Sequence, residues 1–319
     1  MKLKDIYGYM VENAIKMEAR PKKAVEADIK KSKEEYDLAK GEDKRFFDKE
    51  SLKHPYHDTR IINGSGEEEV TNVMVGIDIG VDELLLADRL MEKGMNIDLV
   101  ISHHPSGRAL AQLDKVMGIQ SDIWEGKFGF SHEVARGIMK DRMEEVARGL
   151  SPINHTRVLD AAKLLGIPLM CAHTVADNCV TTYLQKMFDK KKPSKLSGVL
   201  SLLKSISEYQ DGMRHGAGPF ILIGKGDDEA GKIFVDMTGG TGGPSKLYPR
   251  LNQAGVKTVI GMHCKEESYK IAKSEFMNYV IAGHIPSDNL GLNLMFDAVE
   301  KHEKLNFIEC SGFRRYRRI

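Results

Sequence analysis

From Val70 onward, short apolar runs alternate with longer stretches in which apolar residues return every three or four positions. Val70–Ile79, Ile97–Ile101, Ile167–Cys171, Phe220–Ile223, Lys232–Met237, Val256–Met262, Asn278–Ala282 and Asn306–Cys310 read as strands. Between them, Val81–Lys93, His132–Arg148, Thr156–Leu165, Asn178–Lys190, Leu196–Tyr209, Pro244–Gln253, Glu266–Phe276 and Asp288–Glu303 have helical spacing. Gly94 stands where a helix end takes a left-handed residue, and a hairpin is expected across Gly224–Gly231. Strands alternating with helices predict an α/β protein whose mainly parallel sheets are covered on both faces. The rhythm runs twice, over approximately 70–195 and 215–319, so two similar lobes are expected.

The first 69 residues follow a different pattern. Lys2–Arg20 places Ile6, Tyr9, Met10, Ala14 and Met17 at roughly helical spacing, and Pro21 interrupts it. Lys22–Glu50 is dense in charge, with Glu26/Lys30 and Lys31/Glu35 spaced to pair on a helix. A solvated helix or helical hairpin is expected, with a partner-binding arm as the alternative. Asn63-Gly64-Ser65-Gly66 reads as a loop. Residues 1–69 are therefore expected to be a charged, helical N-terminal extension.

Charge changes the picture little: 47 basic residues against 46 acidic ones leave a net charge of +1, which argues against a nucleic-acid partner. No apolar stretch approaches the roughly 18–20 residues needed to span a bilayer. The N-terminus has no signal-peptide core, and Cys171, Cys179, Cys264 and Cys310 form no CxxC pair. A cytoplasmic protein with reduced thiols is expected. The basic tail Arg314–Arg318 reads as solvated or subunit-contacting.

Candidate chemistry concentrates at three strand ends. They are Ser102-His103-His104-Pro105, Ala172-His173-Thr174-Val175-Ala176-Asp177 and Gly283-His284-Ile285-Pro286-Ser287-Asp288. Polar groups at the carboxyl ends of parallel strands converge on one crevice, and imidazoles with carboxylates make a transition-metal donor set. Each island alone has a plain structural reading. Asp177 fits an N-cap of a helix from Asn178, Asp288 fits a first-turn acid, and His173 fits a core histidine. Gly239–Gly243 is a tight turn or a phosphate cradle; it lacks the Gly-Lys-Ser/Thr ending of a P-loop.

Asp98–Pro105, then Ala172-His173-Thr174 with Asp177, then Gly283-His284 with an acid four residues on, resemble the NIF-three-like family of dinuclear-metal, ring-forming hexamers, whose members are described as GTP cyclohydrolase I type 2 homologues. The resemblance covers roughly Val70 to the C-terminus, so 70–319 is expected to be a NIF-three-like metal-binding domain. It implies His103, His104, Asp177, His284 and Asp288 as metal ligands, with His173 supporting them from outside. It also implies two divalent ions per subunit and a homohexamer. Asp288 stands where the family usually has Glu. The insertion between Pro105 and Ile167 and the N-terminal extension are further departures.

Five ligands cannot close two ions separately, so shared carboxylates, waters and open positions are expected. Zinc, iron and manganese all suit this set. Two divalent ions generate hydroxide near neutral pH, and their excess positive charge favours an anionic small-molecule substrate. The reading is a metal-dependent hydrolase of a nucleotide-like molecule. A non-catalytic metal-binding scaffold is the alternative, and a phosphoesterase or amidohydrolase a further one.

Overall fold

The computed structural model describes residues 1–318; residue 319, the end of the expected metal-binding domain, lies outside them. Nine strands form two sheets. They are β1 (Thr59–Asn63), β2 (Asn72–Gly76), β3 (Leu99–Ser102), β4 (Leu169–Ala172), β5 (Phe220–Ile223), β6 (Lys232–Asp236), β7 (Val256–Gly261), β8 (Asn278–Ile281) and β9 (Asn306–Glu309). Sheet orders are β1-β4-β3-β2-β9 and β5-β8-β7-β6. In each, one antiparallel edge strand flanks parallel neighbours: β1 pairs with β4, and β5 with β8. The remaining pairs are parallel. Strands β1–β4 and β5–β8 thus repeat one topology, which is the physical form of the doubled rhythm in the sequence.

The strands β2, β3 and β4 are almost wholly buried, as continuous Val/Ile/Leu runs covered on both faces should be. The main core joins the lobes. It packs Val73, Val75, Leu99 and Ile101 of the first sheet in one cluster with Phe234, Val259 and Tyr279 of the second.

Several boundaries differ from expectation. The helical extension holds over Leu3–Lys16 and Lys22–Leu38, but Thr59–Asn63 is a strand of the first sheet. The first helix buries Leu3, Ile6, Met10 and Ala14 in the main core and packs across helices Thr174–Lys191 and His284–Val299. Lys22–Leu38 buries only Val25 and is the solvated helix expected. No hairpin joins β5 to β6, because each finds its partners elsewhere in the second sheet. The last strand, β9, returns to the first sheet beside β2, so the lobes are not two contiguous stretches of chain. Among the described residues, no helix is long and apolar enough to cross a membrane.

Candidate metal centre

The cluster forms where strand ends of both lobes meet. His103 and His104 follow β3, His173 follows β4, and His284 follows β8. Helices Thr174–Lys191 and His284–Val299 begin four residues earlier than the periodicity suggested. Asp177 and Asp288 are consequently inside helices and not at caps, and the Asp177 N–H donates to the His173 carbonyl at 3.1 Å. Both helix starts carry the same unit, His-x-x-x-Asp, at the same place in the repeated topology, with His173 as the residue before its helix and His284 the first of its own. The two helices pack closely enough that a Cβ on Gly291 would lie 2.5 Å from the Ala176 carbonyl oxygen. Glycine is required there, and the contact brings the two carboxylates together.

His103 Nε2 lies 3.5 Å from Asp177 Oδ1 and 3.5 Å from Asp288 Oδ1. The other Asp288 oxygen, Oδ2, is 3.5 Å from Nε2 of both His104 and His284. His173 Nε2 is 3.8 Å from Asp177 Oδ2. These separations exceed good hydrogen bonds. They suit donors sharing an ion, since two atoms each about 2.1 Å from a metal lie about 3–3.5 Å apart. His103 Nε2, Asp177 Oδ1 and both Asp288 oxygens are buried with no hydrogen-bond partner. Buried polar atoms are normally satisfied, and four orphans around one point form a donor set that could hold a cation.

The opposite ring nitrogens are held from behind. His103 Nδ1 meets the Ala172 carbonyl at 3.1 Å, His104 Nδ1 meets Asp78 at 2.6 Å, and His173 Nδ1 meets Asp58 at 2.8 Å. Each contact turns Nε2 towards the cluster, where the lone pair of a neutral ring is free for an ion. Thr174 Oγ1 also donates to Asp58, at 2.6 Å. Geometry therefore does not separate His173 from the expected ligands. His103–His104–His173, His104–His284–Asp288 and His103–Asp177–Asp288 are each grouped tightly enough to hold an ion.

Crowded charge perturbs the protonation of the cluster. Burial, with Asp288 and Asp58 nearby, pushes Asp177 up to about 8. Burial would lower His173, yet Asp177 and Asp58 hold it up at about 9. Burial takes His103 down to about 4. Asp288, although buried, is held below the usual carboxylate range by His103, His104 and His284. The cluster is closed behind His103 and opens past His104 and His284 into a cavity of about 310 Å³. Asp236, Tyr248, His263, Lys265 and the Gly240–Gly243 turn line the far side.

Sequence reasoning singled out the five expected ligands and His173, which the structure brings together. It missed Asp58, Asp78 and His263. The signal for His263 was present, because it follows the expected strand Val256–Met262 as His103 follows β3.

No protein-family model and no curated protein matches the chain. Among solved structures, a NIF3 superfamily protein from Sphaerobacter thermophilus superposes with a TM-score of 0.70. That match covers 95% of this chain and 97% of that one at 23% identity. The fold is NIF3-like. Reduced HcgD from Methanocaldococcus jannaschii matches at TM-score 0.46, with 14% identity over 78% of this chain and 87% of that one. A Bacillus cereus protein related to NIF3 matches at 0.39, with 11% identity over 79% and 89%. The first helix buries Leu3, Ile6 and Met10 in the main core and the 106–166 insertion buries Ile119, Ile123 and Trp124 in it, so neither is an appendage to the fold.

Proposed function

We propose that this chain is a dinuclear metal-dependent hydrolase of an anionic, nucleotide-like small molecule. His103, His104, Asp177, His284 and Asp288 would hold the two divalent ions, with His173 placed to join them. The observation carrying this reading is the convergence of buried, unpartnered donor atoms on one point beside an open cavity. Zinc, iron or manganese bound there would supply a hydroxide near neutral pH and stabilise developing negative charge.

The chain's own residues prepare that chemistry. Asp58, Asp78 and the Ala172 carbonyl hold three imidazoles with Nε2 forward. The Gly291–Ala176 contact sets the spacing of the carboxylates. Leu110, Leu113 and Met237 line the cavity and exclude water from its walls. Asp236, on the same cavity, is pushed up to about 6 by burial, a range in which a carboxylate accepts a proton effectively near neutral pH. Two aspartates against two divalent ions leave positive charge, which favours an anionic substrate. In the GTP cyclohydrolase version that the sequence resemblance implies, one water opens the purine imidazole ring to a formamide and a second hydrolyses it, so that formate leaves and a free amine remains.

The test is metal content by mass spectrometry on the full chain purified without chelator. About two ions per chain are expected, falling sharply in His104→Ala and His284→Ala while the fold persists. Normal metal content in both variants refutes the centre. Nucleotide hydrolysis by the metal-loaded protein is then expected; its absence with ions that resist chelator favours the scaffold reading. A homohexamer is also proposed, and light scattering that finds a stable monomer rejects it.

A further inference from the structure

The repeated topology makes an asymmetry of the metal cavity visible. In the first lobe, Asp78 follows β2 and the histidine pair follows β3. In the second lobe the corresponding places carry the Gly239–Gly243 turn after β6 and His263 after β7. One copy of the scaffold supplies two imidazoles and the carboxylate behind one of them where the other supplies glycine, an imidazole and a lysine.

Hydrogen bonding shows how the turn is held. Gln120 Nε2 donates to the carbonyls of Gly239, at 2.8 Å, and Thr241, at 2.6 Å. Arg142 Nε donates to the Gly242 carbonyl at 3.3 Å. Both side chains come from the 106–166 insertion, so the insertion fixes the turn by its acceptors. The Thr241 N–H is used inside the turn, at 3.1 Å from the Gly239 carbonyl. Among the described residues, the N–H groups of Gly240, Gly242 and Gly243 have no partner, and all three residues line the cavity. Lys265 lines the same wall and makes no ion pair among the described residues.

The distance to the metal cluster is one imidazole. A Cβ on Gly242 would lie 3.6 Å from His263 Cε1. The His263 ring centroid is 5.2 Å from that of His284, whose Nε2 faces Asp288.

We infer that Gly240, Gly242, Gly243, His263 and Lys265 form an anion subsite that binds the phosphate of a phosphorylated small molecule whose reacting group lies at the metal centre. Unpartnered backbone N–H groups of a glycine-rich turn beside a cation are a phosphate-binding arrangement. The cavity, about 310 Å³, lies at the small end of ligand sites and suits one phosphorylated small molecule. The inference rests on the proposed metal centre for the placement of the reacting end, and on the turn alone for the phosphate.

The test is calorimetric titration of inorganic phosphate into the chelator-treated full chain, beside Gly242→Ala and Lys265→Ala. Gly242→Ala places a methyl group on the cavity side at ordinary contact distance, and Lys265 is exposed; both variants should fold. Saturable binding is expected, weakened about tenfold or more by loss of a charge-assisted contact in Lys265→Ala and by the methyl in Gly242→Ala. Absence of saturable binding, or equal binding by both subsite variants, overturns the inference. Metal content measured on the same preparations before chelator treatment keeps the two readings apart, since absence of metal with intact phosphate binding defeats only the metal centre.

Discussion

The helix His284–Val299 carries a buried charge cluster at each end. Near its start, Asp288 faces His103, His104 and His284, and its two oxygens have no hydrogen-bond partner. At its far end, Asp297 and Glu300 meet the basic tail. Arg315 Nη2 lies 2.6 Å from both acids, and Arg317 Nε lies 2.9 Å from Glu300. Arg318 reaches Glu208, and the Leu305 N–H donates to Glu300 at 3.2 Å. Of the polar atoms in this clamp, Arg315 Nε remains buried without a partner. The tail expected to be solvated or subunit-contacting is instead folded onto its own chain. Two buried clusters of similar composition thus differ in saturation. The paired one holds structure; the unpaired one has donors to spare for an ion. Buried charge alone distinguishes neither, because both are equally removed from water.

That contrast breaks most readily at Asp177. Asp177→Asn is expected to abolish most metal binding while leaving the metal-free protein as stable as the parent or more so. Burial already holds Asp177 up at about 8 and its Oδ1 has no hydrogen-bond partner, so the variant removes no charge on which the metal-free fold depends. Metal content and thermal melting in chelator check both halves; a metal-free variant that melts well below its parent would erase the distinction. Glu300→Ala should do the reverse. Leaving Arg315 and Arg317 without their shared acid should cost about 3–5 kcal/mol in urea denaturation, with metal per folded chain unchanged.

The same contrast explains what was legible beforehand. The strands of the parallel sheets are buried on both faces, so their apolar runs stood out, and histidines at strand ends marked the crevice. The edge strand β1 did not stand out: Thr-Arg-Ile-Ile-Asn is short, lies outside the alternating region and pairs through one neighbour. Asp58 immediately before it was hidden for the same reason, although it orients His173. Asp78 was closer to view, because it sits at the end of a clear apolar run ahead of Gly80. The helix starts were misplaced because Asp177 is a good local N-cap. Tertiary contact through Gly291 and Ala176 prevails over that preference. Tail pairing depends on residues on either side of a strand–turn excursion, which local spacing does not reveal.

Asp58 sharpens the contrast by a smaller amount. It touches His173 and Thr174, and supports a donor without being one of the five expected ligands. Asp58→Asn is expected to weaken metal binding about 10–100-fold, the usual cost of losing such support, while the sites still fill at saturating metal. Competition against a chromogenic chelator measures this. An unchanged affinity would place His173 outside the coordination and return it to a purely structural part.

The smallest effect expected is on acid stability, and it belongs to the clamp. Despite burial, Arg317 and Arg315 lower Glu300 from 4.5 to about 2. A carboxylate whose folded pKa is depressed contributes stability above its unfolded value and loses it as pH falls through the folded one. The arginines keep their charge throughout, so the contribution should be complete above about pH 5 and vanish progressively towards about pH 2. Glu50, likewise lowered to about 2, with His54 the largest cause, titrates in the same window. The clamp is therefore isolated as the difference between parent and Glu300→Gln denaturation curves. That difference should shrink as pH falls from 5 to 2, in metal-free protein so that ligand protonation does not enter. A difference constant across the window would mean that Glu300 acts through packing and not through charge, and the tail would then cease to be the saturated counterpart of the metal cluster.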